Sequence, residues 1–554
     1  MCILCEKGFP QNHAGSQLGR RDFLKASTAT AAAAAGMSLF AARPAAARDD
    51  DGPEDTGKRG RRYIIRGGHV MTMDPSMPNK GEFASADVLV EGTKIKAVGP
   101  NLHAGGASEI DARGKVVMPG FIDTHHHQFE TALRSFLANG VLINDQPPSP
   151  PPPPSYFEYV LSRFAPVYTP DDVYVSELFG GLAQLDDGVT TVHDVSQIHH
   201  SPAHSDAAIQ ALFDTGRRAA FGYFESAGNV KGNQYPADAE RIQAQFFSSS
   251  DQLVHMIMGG EVYLGDATAD ASWTLGRKLG LQIAAHILSP FGIRPIFDRL
   301  AAGTGGNGHI GIGADNLFIH MTGMSDAAWK RVQDVGAQVS IAFPIEMNMR
   351  HGMPPIVRMQ SMGLEPSLST DVEVTLTADF FTQMRSAMNL QRVVVNQMIL
   401  DSPNGNQNLP DPRNWELPQT AKTSDDFPFF PYWPKRPAGV PAPLTTRDVL
   451  RYATINGAKA LRLEGKTGTL TPGKEADIII LDATAINVAP LNNVPGAVVS
   501  LMERTNVETV IVAGKVRKWR GKLLDVDLDH LRRQLENSRD DIFAAANVPQ
   551  NLYS

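Results

Sequence analysis

Two histidines one residue apart, His125 and His127, close the run V-M-P-G-F-I-D-T-H-H-H-Q at Val117 to Gln128. In an extended strand, residues two apart share a face, so both imidazoles point the same way. Two neutral imidazoles converging at a strand end form half of a site for a borderline ion such as zinc. A histidine-rich turn at a wet strand end fits this stretch equally well, so ligands elsewhere must decide.

The elements that would supply them alternate along the centre of the chain, where apolar, strand-like runs are separated by helix-like segments such as Ser205 to Leu212, Ser272 to Leu279 and Ser325 to Val335. This is the pattern of a parallel α/β domain. The strands are predicted at Val117 to Thr124, Val189 to Asp194, Ala219 to Glu225, Leu253 to Met258, Leu281 to His286, Leu317 to His320, Gln338 to Phe343 and Leu368 to Asp371. Eight strands suffice for a closed, TIM-like (β/α)8 barrel, whose chemistry gathers at the carboxyl ends of the strands. Those ends carry His193 and Asp194, Glu225, His286, His320 and Asp371. Five further strands ending in ligand-type residues are hard to ascribe to solvated strand ends. Other histidines weigh less: His126 alternates with the pair and faces away, His255 reads as a structural residue inside a strand, and His199, His200 and His204 read as solvated loop residues.

Both ends of the remaining chain have a different texture. Short strand-like runs at Tyr63 to Arg66, Asp87 to Val90 and Lys94 to Val98 return in kind at Ala476 to Leu481 and Val507 to Val512, so a β-sandwich built by both chain ends is expected beside the barrel. The expected layout is a linker at 48–62, sandwich at 63–117 and 466–525, barrel at 118–465, and a C-terminal helix and tail at 526–554. Two stretches interrupt the barrel. Gln146 to Pro154 has seven prolines in nine residues and must be stiff and extended. The aromatic, proline-rich insertion at 401–443 is of a length usual for a lid or a subunit contact.

At the N-terminus, Gly19-Arg20-Arg21-Asp22-Phe23-Leu24-Lys25 precedes an alanine-rich run and the small residues Pro44-Ala45-Ala46-Ala47. This resembles a twin-arginine signal peptide spanning 1–47, so export through the twin-arginine machinery to the periplasm or beyond is expected. The only cysteines, Cys2 and Cys5, precede the expected cut. The mature chain then has no thiol and must be stabilised by its core. A net charge of −8 is a poor match for nucleic acid.

Several motifs together resemble the amidohydrolase superfamily, and within it the cytosine deaminase and s-triazine hydrolase branch. They are P-G-F-I-D-T-H-H-H at Pro119 to His127, G-V-T-T-V-H-D at Gly188 to Asp194, A-A-H at Ala284 to His286, F-I-H at Phe318 to His320, S-T-D at Ser369 to Asp371, and A-T-I-N-G-A-K-A-L with G-T-L-T-P-G-K-E-A-D-I-I-I-L at Ala453 to Leu461 and Gly468 to Leu481. The resemblance implies that His125, His127, His286 and Asp371 bind one divalent metal, zinc first, with iron or manganese as alternatives. It also implies that Asp371 is the base and that His320 polarises the group under attack. Asn348 resembles a substrate-side position. A homo-oligomer is compatible with the resemblance.

One position departs from the branch. Its deaminases usually carry a proton-shuttling glutamate three residues after the fifth-strand histidine, where this chain has Ser289. A serine cannot do that acid–base work near neutral pH. Either Glu225 or Glu261 replaces it, or the substrate does not need that proton. The function expected is hydrolysis of non-peptide carbon–nitrogen bonds in a small heterocyclic or amide-type molecule. Two alternatives stand beside it: a binuclear, deacetylase-like site using Glu225 as a second-metal ligand, and a catalytically inactive periplasmic binding barrel.

Overall fold

The computed structural model describes residue 53 and residues 55–144, 153–228, 230–304, 310–400 and 436–553. The expected signal peptide, most of the proline-rich loop and most of the aromatic insertion lie outside the described residues. Five strands come first: β1 (Arg62–Met71), β2 (Glu82–Glu91), β3 (Lys94–Gly99), β4 (Ser108–Asp111) and β5 (Lys115–Pro119). Eight follow: β6 (Phe121–His126), β7 (Val189–Ser196), β8 (Arg218–Tyr223), β9 (Val254–Gly259), β10 (Ile283–Ile287), β11 (Asn316–His320), β12 (Gln338–Ile341) and β13 (Ser367–Leu368). The last four are β14 (Ile478–Asp482), β15 (Val507–Val512), β16 (Lys515–Trp519) and β17 (Lys522–Leu523).

Strands β6 to β13 form one parallel sheet in sequential order, and all eight predicted barrel strands are present. Helices Pro170–Asp186, Pro202–Thr215, Ala239–Phe246, Asp266–Lys278, Arg294–Ala301 and Asp326–Val335 make the crossovers from β6 to β12. Ile122, Val195, Ala220, Ile257, Ala284 and Ile319 share a fully buried inner core, with Ala458 and Leu461 packed in from the chain beyond the barrel. The ring is nearly closed: just beyond the last strand, an isolated parallel bridge joins Asp371 to His126 of the first. Asp371 N–H donates to His125 O at 3.0 Å, and His127 N–H donates to Asp371 O at 2.8 Å. Thr124 Oγ1 adds side-chain closure, 2.7 Å from Ser340 Oγ and 2.8 Å from Ser367 Oγ.

The remaining strands form a nine-stranded mixed sheet, ordered β17-β16-β15-β14-β5-β1-β2-β3 with β4 on β1. Both chain ends build it, as expected, but as one continuously bonded sheet. Val88, Val90 and Ile95 near one edge share a buried core with Ile478, Ile480, Ile511 and Val516 near the other. The sheet must therefore wrap around its own core, which gives it a sandwich-like interior. Arg218, at the start of β8, ties barrel to sheet: its Nε donates to Asp477 Oδ2 at 2.9 Å and its Nη2 to Glu475 Oε2 at 2.5 Å.

The predicted first strand, Val117 to Thr124, is two strands. β5 belongs to the mixed sheet, β6 to the barrel, and Gly120 stands between them. A Cβ at Gly120 would lie 2.2 Å from the Thr190 side chain, so only glycine fits where the chain passes from one sheet to the other. Hydrophobic periodicity continues across that break, and this is why the sequence reads as one strand. The eighth strand is shorter than predicted: regular pairing ends at Leu368, and Asp371, with φ 64°, makes only the isolated bridge to His126.

Candidate metal and catalytic site

At the carboxyl end of the barrel, three imidazole nitrogens converge. His125 Nε2 lies 3.0 Å from His127 Nε2 and 3.1 Å from His286 Nε2. Asp371 Oδ1 approaches to 3.6 Å of His125 Nε2 and 3.7 Å of His127 Nε2. A register shift in β6 between Asp123 and His126 turns the end of the strand. His126 faces elsewhere, with its Nδ1 3.0 Å from Thr370 Oγ1.

These positions are set by loops as well as strands. His320 has φ 72° and Asp371 φ 64°, a left-handed backbone that costs a non-glycine residue about 1–2 kcal/mol. Both sit where a strand ends, and the turn aims the two side chains at each other: His320 Nε2 is 3.6 Å from Asp371 Oδ2. Buried glutamates hold two of the rings. Glu261 Oε1 lies 2.5 Å from His286 Nδ1, and its Oε2 accepts the His286 backbone N–H at 3.0 Å. Glu346 Oε1 lies 2.9 Å from His320 Nδ1 and accepts the Ala342 N–H at 3.1 Å. A partner at Nδ1 fixes the ring and leaves Nε2 for the centre.

The donor set fits a small divalent cation. Ligands at about 2.0 Å around a tetrahedral ion lie roughly 3.3 Å apart, close to the nitrogen separations here. Three nitrogens facing one another, beside an Asp371 Oδ2 that is buried and has no hydrogen-bond partner, offer more lone pairs than shared protons can satisfy. Burial first, and then neighbouring imidazoles, push His125 and His127 well below the usual histidine range, so both are neutral, the form in which imidazole can bind a metal. Burial also pushes the Asp371 carboxyl up to about 7, against the opposing pull of His286. A cation at the centre would reverse that shift.

His125, His127, His286, His320 and Asp371 are thus brought together. Glu261 and Glu225, read as acid–base or second-metal candidates, are placed differently. Both oxygens of Glu261 are taken up by His286, so it is a positioning residue. Glu225 lies behind the cavity wall, where its Oε1 accepts from Gln197 Nε2 at 3.1 Å and from the Tyr263 hydroxyl. It joins neither group of converging ligand atoms among the described residues. His193 and Asp194 are occupied by structure, the first through Nδ1 to Thr124 O at 2.9 Å and the second by the Gln128 N–H.

Three further expectations are corrected. His199 and His200 are buried and hydrogen-bonded, to Ser205 and Ser196 O and to Ala165 O and Ser226 respectively, because the loop after β7 folds inward. His204 is half-buried, between Ser201 and Tyr168 O. Asn348 ends a short helix, Phe343–Asn348, and is exposed; Met349 and His351 face the cavity instead. Ser289 is exposed, and its segment contributes Leu288 and Phe291 to the wall.

A small cavity lies above the cluster. Its walls include Leu142, Tyr156, Phe157, Leu161, Gln197, Tyr263, Leu288, Phe291, Met349 and Val372. Sequence reasoning missed Tyr156, Gln197, Tyr263, Glu346 and His351. A histidine so close to Asp371, with His351 Nε2 4.0 Å from Oδ2, lies in a loop with no strand-end spacing to mark it.

The comparisons accord with this architecture. Among curated relatives, the 5′-deoxyadenosine deaminase of Methanosarcina barkeri is 24% identical over 500 residues, covering 88% of this chain and 99% of its own. The 5-methylthioadenosine/S-adenosylhomocysteine deaminase of Desulforudis audaxviator is 24% identical, covering 86% and 98%. Among solved structures, a zinc-bound adenosine deaminase from Xanthomonas campestris superposes with a TM-score of 0.67 at 20% identity, covering 88% of this chain and all of that one. A zinc complex of atrazine chlorohydrolase from Arthrobacter aurescens does so with a TM-score of 0.67 at 19% identity, covering 87% and 100%. Residues 116–410 and 435–517 match the amidohydrolase family, a span that takes in the barrel, the converging histidines and Asp371, and most of the C-terminal half of the sheet. The chain belongs to the amidohydrolase family.

Proposed function

We propose that this chain is a hydrolase of carbon–nitrogen bonds that uses one divalent metal, zinc, held by His125, His127, His286 and Asp371. The convergence of three Nε2 atoms beside an unpartnered Asp371 oxygen carries this reading. Such an ion supplies Lewis acidity and makes hydroxide available near neutral pH. Asp371 takes up the proton released as the nucleophile forms. His320, fixed by Glu346, presents Nε2 to the oxygen or ring nitrogen that gains charge as carbon is attacked. The family's deaminase relatives support release of ammonia or an amine. The separate place of Glu225 favours one metal over two.

The substrate class follows from the walls. Leucine, phenylalanine, tyrosine, methionine and valine dominate, and neither lysine nor arginine is among the described lining residues. A small, uncharged, largely apolar heterocycle or amide matches this lining, whereas a phosphorylated or carboxylated one would find no lysine or arginine there and only the metal to answer its charge. Elemental analysis is expected to give one zinc per chain, and a panel of neutral amino-heterocycles and amides to show ammonia or amine release. Two metals per chain would refute the single-metal reading, and turnover confined to anionic substrates would refute the substrate class.

Glu261→Ala tests the positioning of His286. Loss of such a carboxylate behind a ligating histidine typically weakens metal binding 10–100-fold, and the same loss is expected here in a chelator competition. Unchanged metal affinity would remove Glu261 from the site.

Export through the twin-arginine route is part of the same proposal. It is supported by the paired Arg20 and Arg21 before an alanine-rich run, and by the small residues Pro44 to Ala47 that end it. N-terminal sequencing of protein from the native host is expected to start near Arg48; a chain still beginning at Met1 outside the cytoplasm would rule the cleavage out.

A further inference from the structure

We infer that Tyr263, with the carboxyl group of Glu225 behind it, protonates the departing nitrogen. The inference rests on the hydrolytic reading above. An amine leaving a tetrahedral carbon as its anion is far too basic, so an acid must meet it. Ser289, exposed at the rim, cannot be that acid. Asp371 is engaged with the nucleophile.

Tyr263 lines the same cavity as His286, His320 and Asp371, and its hydroxyl is hydrogen-bonded to Glu225 Oε1. Gln197, also in the wall, donates to that oxygen from Nε2 at 3.1 Å. Glu225 Oε2 is buried and has no partner, so a negative charge on this carboxyl would be half unsolvated. Tyr263, Tyr235, Tyr156, Glu261 and His286 are the titratable groups that act on it. Burial, reinforced by Glu261, pushes the Glu225 carboxyl up to about 8, with Tyr263 and His286 opposing, so at neutral pH it holds a proton. A phenol alone is too weak an acid, and burial weakens this one further. The pair solves this by moving two protons together, which lends the tyrosine the acidity of the carboxyl.

The step balances. The C–N bond breaks and its electron pair stays on nitrogen. The Tyr263 hydroxyl, which donates to Glu225 Oε1 at rest, turns its proton to the departing nitrogen, Tyr263 Oη takes the proton that the Glu225 carboxyl carries, and Glu225 is left as a carboxylate held by Gln197. After the amine departs, solvent returns one proton to Glu225, and Asp371 releases to solvent the proton it took from the attacking water. A second tyrosine–carboxyl pair has its tyrosine in the cavity wall: Tyr156 donates to Glu130 Oε1 at 2.5 Å. Glu130 is 0% exposed whereas Glu225 keeps 8% of its residue surface, which sets Glu225 nearer to solvent than Glu130.

The test uses the zinc-loaded protein and two substrates that share an acyl or ring portion, one losing an alkylamine and the other 4-nitroaniline, which leaves without help. Glu225→Gln keeps the acceptor for Tyr263 but holds no transferable proton, and Tyr263→Phe removes the relay. Each is expected to lower kcat about 100-fold or more for the alkylamine substrate, within the range of general acid catalysis, with KM and the 4-nitroaniline reaction changed less than about threefold. Metal content is expected to equal that of the unaltered protein. An infrared difference spectrum at neutral pH should show the loss of one protonated carboxyl in Glu225→Gln, independent of turnover. Equal losses for both leaving groups, no loss, or a leaving-group-selective loss in Tyr156→Phe instead would each overturn the assignment. Absence of turnover of both substrates by the unaltered, metal-loaded protein would overturn the hydrolytic reading and this assignment with it.

Discussion

Asp371→Asn is expected to lower kcat by roughly 10,000-fold, the upper end of what a positioned base contributes, and to reduce bound metal. The residue has two tasks in one carboxylate. Oδ1 faces His125 and His127 at 3.6 and 3.7 Å, while Oδ2 faces His320 at 3.6 Å and has no hydrogen-bond partner. Asparagine keeps the volume and one oxygen but supplies neither the charge nor the basicity. Its backbone tolerates the exchange, because asparagine adopts positive φ more readily than most residues, and φ here is 64°. The folded protein should therefore survive with circular dichroism and thermal midpoint close to the parent. Steady-state kinetics with elemental analysis check both tasks; a variant that kept full metal and full turnover would remove Asp371 from the chemistry.

His320→Asn should separate these tasks. Its Nε2 lies beside Asp371 Oδ2, but its ring is not among the three whose Nε2 atoms meet at 3.0–3.1 Å. Metal content is expected to stay at the parent level, while kcat falls by roughly 100- to 1,000-fold, the usual cost of losing one donor to developing charge. Glu346→Gln, which keeps the volume behind the ring, should give a smaller loss of the same kind. Loss of metal in the His320 variant would show it to be a ligand and would reopen a second-metal reading.

The site was legible where strand ends carry the chemistry. His125, His127, His286, His320 and Asp371 all follow an apolar run that becomes a parallel strand, and a barrel gathers such ends at one face. The groups that aim them were not legible. Glu261 follows β9 and serves a histidine on β10; Glu346 follows β12 and serves one on β11. Neither partnership has a spacing, because each depends on how a loop folds over the barrel mouth. His199 and His200 were misread for a similar reason: a polar loop sequence looks solvated until neighbouring loops bury it. Asn348 ends a short helix and Met349 follows as its cap, and periodicity over six residues does not fix which of them faces inward. Gly120 hid the most consequential boundary, since its role comes from Thr190, a residue distant in sequence.

That boundary sets an order on folding. β5 is paired by β1 as soon as the N-terminal strands emerge, but its other edge waits for β14, which begins only at Ile478. Throughout synthesis of the barrel, Val116, Val117 and Met118, all fully buried in the finished protein, sit on an open edge one glycine away from the histidine strand. Unpaired, apolar edges are templates for aggregation, and pairings so distant in sequence form late. β5, which leads directly into the histidine strand, is therefore anchored on both sides only when the C-terminal strands arrive, so a nascent chain released early exposes its most adhesive segment beside its candidate metal-binding residues.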